Sequence, residues 1–252
     1  MDFTDDQLER YARHIVLREI GGAGQARLAG AHVAIIGAGG IGCPAIAYLA
    51  AAGIGTLRII DHDMVSLSNL QRQILFASDD IGRPKAEAAR DAVRRLNPDC
   101  HAIPINTALD ADNAETLLRD ADIILDGCDN FETRLAVSDA ATRLRIPLVS
   151  AAVGQFEGQI GVWRGWEEGQ PCYRCLVGET RTDPARTCAE EGIVGALTGI
   201  IGSMAALEAI RALVPFGETA TGKLIVFDLL ARRLRTMAIP PDPACKAALA
   251  CA

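Results

Sequence analysis

The sequence predicts an α/β protein built on a doubly wound, mostly parallel, Rossmann-like sheet that continues into an antiparallel second half. Three observations lead there. Short apolar runs alternate with helix-period stretches through the first 155 residues, which is how successive strand–helix units read. The first of these runs ends in a glycine loop, GAGGIG at 37–42, set between a strand and a helix. After residue 156 the alternation stops, and strand patterns flank one long apolar helix.

In order, apolar residues at helical spacing over 8–17 predict a first helix carrying Arg10 and Arg13, and the Gly/Ala-rich stretch 21–30 reads as a linker. Residues 32–37 read as a buried parallel strand, 41–52 as a helix and 56–61 as the next strand. Pro84 suits the first turn of a helix over 85–96. Strands at 101–106, 122–126 and 147–152 alternate with helices at 113–119 and 132–144. Strands at 159–164, 224–228 and 233–238 then surround a helix over 192–213, buried by its composition and too interrupted by glycine to span a bilayer. No internal repeat or low-complexity linker divides the chain. It reads as one domain over 1–252, with a helical arm (1–30), a nucleotide-binding half (31–155) and a second half (156–252).

Half of the 252 residues are apolar and the net charge is −7 without a long basic run, which argues against a nucleic-acid surface and leaves the core to Ala, Val, Ile and Leu. The acidic, then amphipathic N-terminus lacks the layout of a signal peptide, so a cytoplasmic protein with no membrane partner is expected. Eight cysteines in such a chain suggest metal binding or thiol chemistry more than disulfides.

Gly37, Gly39 and Gly42 have dinucleotide-loop spacing, and Asp61 falls where a ribose-binding acid belongs. That alone fits NAD, FAD or ATP, and an NAD-dependent oxidoreductase stands as one reading. Asn69, Arg72, Gln73 and Lys85 follow within a short span and supply phosphate-binding chemistry that nicotinamide enzymes do not need, which favours ATP. Asp129, after the strand ending at Asp126, suits either a Mg²⁺ ligand near phosphates or a helix cap, with Asn130 taking the other role. Cys172 and Cys175 have zinc-ligand spacing, with redox or vestigial cysteines as the alternative. Cys43, Cys100 and Cys128 read as small core residues, and His14, His32, His62 and His101 as structural.

Taken together, RYARHI (10–15), GAGGIG (37–42), DHD (61–63), SLSNLQRQ (66–73), GRPK (82–85), DGCDN (126–130), PCYRC (171–175) and TC (187–188) resemble the ubiquitin-activating superfamily, in particular its small MoeB, ThiF and HesA members. The resemblance runs almost end to end. It implies ATP-dependent adenylation of the C-terminal glycine of a ubiquitin-like sulfur-carrier protein ending in Gly-Gly, releasing pyrophosphate, in molybdopterin biosynthesis or alternatively the thiamine pathway. It further implies that Gly40, Asp61 and Asp63 meet the nucleotide. Ser68, Asn69, Leu70, Gln71, Arg72, Gln73 and Lys85 would line the phosphates, and Asp129 with Asn130 would complete the Mg²⁺ site. The second half would then bind the carrier.

Arg13 matches an arginine that family members insert into the neighbouring subunit's site, so a homodimer is expected. The family's zinc site takes two further cysteines near the C-terminus. Here they would be Cys245 and Cys251, because Ala248 stands at the expected partner position. Cys188 matches a position that accepts or links the activated carrier in the thiamine branch.

Overall fold

The order of strands reverses beside the first one, and that reversal opens the site. In the computed structural model, which describes residues 3–178 and 192–245, eight strands form one sheet in the order β3-β2-β1-β4-β5-β6-β7-β8. β1 (His32–Ile36), β2 (Thr56–Ile60), β3 (His101–Ile105), β4 (Ile123–Asp126) and β5 (Leu148–Val153) are parallel. β6 (Glu157–Trp163), β7 (Lys223–Asp228) and β8 (Arg233–Ala238) add on antiparallel. β1 is flanked by β2 and β4, with Ile36 beside both Ile60 and Asp126, so their carboxyl ends share one edge.

Two apolar layers sandwich the sheet. On one face α3 (Gly42–Ala51), α4 (Lys85–Leu96) and α8 (Gly195–Leu213) cover Val33, Ile35, Leu57, Ile59, Leu125 and Val149. On the other, α5 (Ala114–Leu118) and α6 (Phe131–Leu144) cover Ala34, Ile36, Ile124 and Leu148. By length and composition α8 could cross a membrane, but half of its apolar window is buried, through Leu197, Ile201, Ala205 and Ala209. Gly202 permits its close crossing over α3, since a Cβ there would stand 2.3 Å from the Ile41 carbonyl oxygen.

Several expectations shift. Residues 21–30 are not a linker but a helix, α2 (Gly21–Gly30). Gln25 explains it: this buried side chain donates to Ala52 O (2.8 Å) and meets His14 Nδ1 (3.0 Å), and a Cβ on Gly24 would lie 2.9 Å from Val214 Cγ1. Tertiary contacts outweigh glycine's poor helix propensity there. α1 (Asp5–Ile15) starts earlier than its apolar spacing suggests, because Thr4 and Gln7 form a reciprocal capping box. α8 starts three residues later than expected, after extended Val194. Cys172 and Cys175 lie at the start of a short helix, α7 (Tyr173–Val177), with Cys172 at its N-cap.

Candidate functional site

At the reversal point the carboxyl ends of β1 and β4 frame a cleft of about 460 Å³. The glycine loop forms its floor. Gly37 has φ +88°, and a Cβ on Gly42 would stand 1.9 Å from the Gly37 carbonyl oxygen, so this tight turn requires both glycines. Gly39 plays a different part. A Cβ there would meet only Gln73 Nε2, at 4.0 Å, so its lack of a side chain leaves open space.

Asp61 follows β2 and is 9% exposed, with Oδ2 accepting from Ala38 N (2.7 Å) and Oδ1 from Asp63 N (2.8 Å). Burial pushes its carboxyl up from the usual range, against the opposing pull of Lys85. Lys85 opens α4 and reaches back to donate to Asp63 Oδ2 at 2.8 Å. Burial works against the Asp63 carboxylate too, but the Lys85 hydrogen bond and charge outweigh it and hold that group below its usual range. His62 lines the cleft, with Nε2 3.5 Å from Asp63 Oδ1. Asp61, His62 and Asp63 also bring their ligand atoms within 4.8 Å of one another.

Asn69, the last residue of a single 3-10 turn at Leu67–Asn69, and Arg72 and Gln73 beyond it face the cleft. Arg72 is partly exposed and donates to Ser68 O (3.1 Å), which leaves most of its guanidinium available. Gln73 is buried, and its Oε1 has no hydrogen-bond partner among the described residues. Asp129 lies exposed on the opposite wall, and no hydrogen bond among the described residues occupies its carboxylate. Asn130 caps α6 by accepting from Thr133 N (2.7 Å).

The cleft thus gathers Gly37, Gly39, Gly40, Asp61, Asp63, Asn69, Arg72, Gln73, Lys85, Asp129 and Asn130. Gly42, Ser68, Leu70 and Gln71 do not line it. Gly42 packs under the turn, the Ser68 hydroxyl pairs with Ser66, Leu70 packs on the core, and Gln71 lies against Gly195. Arg13 sits exposed on α1, outside its own chain's cleft. Cys188 lies outside the described residues.

Cys43 and Cys100 are core residues; Cys128 packs against the second apolar layer and also lines the cleft. Sequence reasoning also missed Arg134, Tyr173 and Thr198 on its walls. For Arg134 a signal existed: it stands four residues after Asn130, on the same face of a helix that begins at the cleft.

The second cluster is sulfur. Cys172 Sγ lies 3.4 Å from Cys245 Sγ and 3.8 Å from Cys175 Sγ, and all three sulfurs fall within 4.8 Å of one another. Four thiolates about 2.3 Å from a tetrahedral ion stand roughly 3.8 Å apart, so this donor set fits a soft-metal site. Arg174 grips Asp139 with two hydrogen bonds of 2.6 and 2.7 Å and ties the turn to α6. Cys251 lies outside the described residues.

The profile of the ThiF family matches residues 11–247. The chain is 41% identical over 245 residues to molybdopterin-synthase adenylyltransferase of Escherichia coli K12, covering 97% of this chain and 98% of that one. It is 39% identical over 249 residues to a sulfur carrier protein adenylyltransferase of Thermus thermophilus, covering 97% and 92%. In fold it is similar to the crystal structure of E. coli MccB, with a TM-score of 0.83 and 22% identity over 98% of this chain and 73% of that one.

Proposed function

The chain belongs to the ThiF family, and from that premise we propose that it adenylates the C-terminal glycine carboxylate of a ubiquitin-like sulfur-carrier protein with ATP. One observation carries the reading: a glycine loop, a ribose-distance acid, two cations and an unoccupied carboxylate converge on one cleft at the topological switch point. The named activities of the relatives support it.

The chemistry follows from charge. A carrier carboxylate oxygen bonds to the α-phosphorus as the bond to the bridging oxygen of the β-phosphate breaks, and pyrophosphate leaves with that electron pair. The nucleophile is already ionised at neutral pH, so no base is needed. The obstacle is repulsion between a carboxylate and a triphosphate. Arg72 and Lys85 offset it from one wall, while the loop amides and the N-terminus of α3 face the phosphates from the floor. Asp61 takes the ribose. Asp129, whose carboxylate makes no hydrogen bond among the described residues, would hold Mg²⁺, which neutralises phosphate charge when bound.

The carrier ends in Gly-Gly and serves molybdopterin biosynthesis, with the thiamine-pathway carrier as the alternative. The enzyme acts as a cytoplasmic homodimer, with Arg13 reaching the partner subunit's cleft. Cys172, Cys175 and Cys245 hold Zn²⁺, with Cys251 as the fourth ligand, and that site contributes stability. The test is ATP–pyrophosphate exchange with each candidate carrier, intact and lacking its last glycine. Exchange should require an intact carrier. Exchange indifferent to the terminal glycine would overturn the proposal, and an NAD titration run alongside should show no binding.

A further inference from the structure

The guanidinium of Arg134 is a buried hub behind the loop that presents Asp129. The residue is 7% exposed, and its Nη1 lies 3.3 Å from Asp126 Oδ2. Its Nη2 donates to Ala151 O at 2.8 Å, within β5, and to the carbonyl of Cys128. Asp126 is itself buried, and its Oδ1 accepts from Cys128 N at 3.0 Å. The peptide groups on both sides of Cys128 are therefore held by one ion pair, the N–H by Asp126 and the carbonyl by Arg134. Asp129 is the next residue along the chain. The Tyr173 hydroxyl interacts with the same guanidinium, and its ring meets Trp163 edge-on at 6.2 Å between centroids.

From these contacts we propose that Arg134 is a positioning residue: with Asp126 it fixes the 127–130 turn and so aims the Asp129 carboxylate into the cleft. Both N–H groups of Nη2 and the near N–H of Nη1 are directed at protein acceptors, so these donors hold the turn while the side chain borders the cleft. A buried arginine bridging a carboxylate and two carbonyls is expensive to bury and does so only with its donors engaged. Neither lysine nor glutamine can reach all three acceptors at once. The inference rests on the reading that Asp129 serves the adenylation site, and it adds the element that sets its direction.

Two measurements test it, the first without nucleotide or metal. Amide hydrogen exchange on Arg134→Gln should show faster exchange across residues 127–131, with β1 and α3 as protected as in wild type. The second is a double-mutant cycle read by pyrophosphate exchange in the presence of carrier. Arg134→Gln should slow exchange about 100-fold in the wild-type background but less than about 3-fold on top of Asp129→Ala, because it acts through that carboxylate.

Additive losses would overturn the positioning role while leaving Asp129 in the site. Wild-type exchange from Asp129→Ala would instead sink the reading of Asp129, and this inference with it. Unchanged protection of 127–131 in a folded variant would overturn the inference alone. If Arg134→Gln does not fold, Arg134→Lys keeps the buried charge, and the same outcomes decide.

Discussion

Lys85 donates to Asp63 across 2.8 Å, from a side chain only 6% exposed to one that is 55% exposed. The pair lies on one wall of the cleft, joining the first residue of α4 to the segment after β2. It keeps a buried ammonium oriented where phosphates are expected, and it makes stability depend on pH in a definite direction. The folded-state pKa of Asp63 lies below its ordinary value, because Lys85 outweighs the burial that would raise it.

A depressed carboxyl stabilises the fold fully above the unfolded value, near 4, and that contribution is lost as pH falls through the folded value. Asp63→Asn should therefore be less stable than wild type at pH 7, by up to about 1 kcal/mol given the exposure of Asp63. The gap should close on acidification. Asp61, shifted the opposite way by burial, is present in both proteins and cancels to first order. Urea denaturation from pH 7 to pH 3 reads the difference; a gap that widened toward acid would refute the sign.

The glycine loop separates packing from binding. A Cβ at Gly42 would stand 1.9 Å from backbone oxygen, so Gly42→Ala should destabilise the protein by more than about 2 kcal/mol or prevent its recovery in soluble form. A Cβ at Gly39 meets nothing closer than 4.0 Å, so Gly39→Ala should fold normally. Its methyl group would occupy space that lets phosphate approach the backbone, and the KM for ATP should rise about tenfold. Thermal denaturation and ATP-dependence of exchange should therefore rank the two variants in opposite orders. Equal destabilisation by both would mean that Gly39 is also a packing residue.

Asp129→Ala should lower pyrophosphate exchange about 100-fold or more while leaving the melting curve unchanged, since it removes an exposed carboxylate that has no hydrogen bond among the described residues. Near-normal exchange from this folded variant would remove Asp129 from the metal assignment.

Much of this was legible in the residues, and the exceptions have physical causes. The parallel strands announced themselves because buried strands are short unbroken apolar runs, and β8 matched its pattern at both ends. α2 did not, because four of its ten residues are glycine and what makes it a helix is Gln25 bonded to residues far along the chain. In the stretch from Ser68 to Gln73 sequence proximity overstated the site. A chain leaving a 3-10 turn points some side chains inward and others away, so Leu70 packs on the core while Asn69, Arg72 and Gln73 face the cleft. Arg134 is harder to read because two of its three acceptors are backbone carbonyls, which no motif records; its spacing from Asn130 was the only trace.

Arg13 is expected to act across a dimer, since α1 holds it exposed and outside its own cleft. Arg13→Ala and Asp129→Ala chains, each impaired alone, should regain activity when mixed. In a hybrid dimer one of the two clefts would draw an intact Asp129 from one chain and an intact Arg13 from the other. With random exchange about half the dimers are hybrids, so roughly a quarter of wild-type activity should return. Verified hybrids without recovery would end the trans assignment.

The sulfur cluster yields the test on which this chain is most individual. Cys172 and Cys245 are buried and 3.4 Å apart although 73 positions separate them, so a shared ion would tie the C-terminal segment to the turn that opens α7. Burial pushes the Cys172 thiol up, and an ion would have to displace its proton to bind, which makes metal retention weaken toward acid. About one zinc per chain should be found by elemental analysis, and Cys172→Ser should lose it and melt several degrees lower. Cys251→Ser is the sharper variant, because Ala248 stands where the family resemblance leads one to expect the fourth thiolate. If Cys251 completes the tetrahedron, its serine variant should hold zinc more weakly against a chelator and lose part of the same stability. Full zinc and an unchanged melting temperature would exclude Cys251 and assign the fourth position to another group or to water.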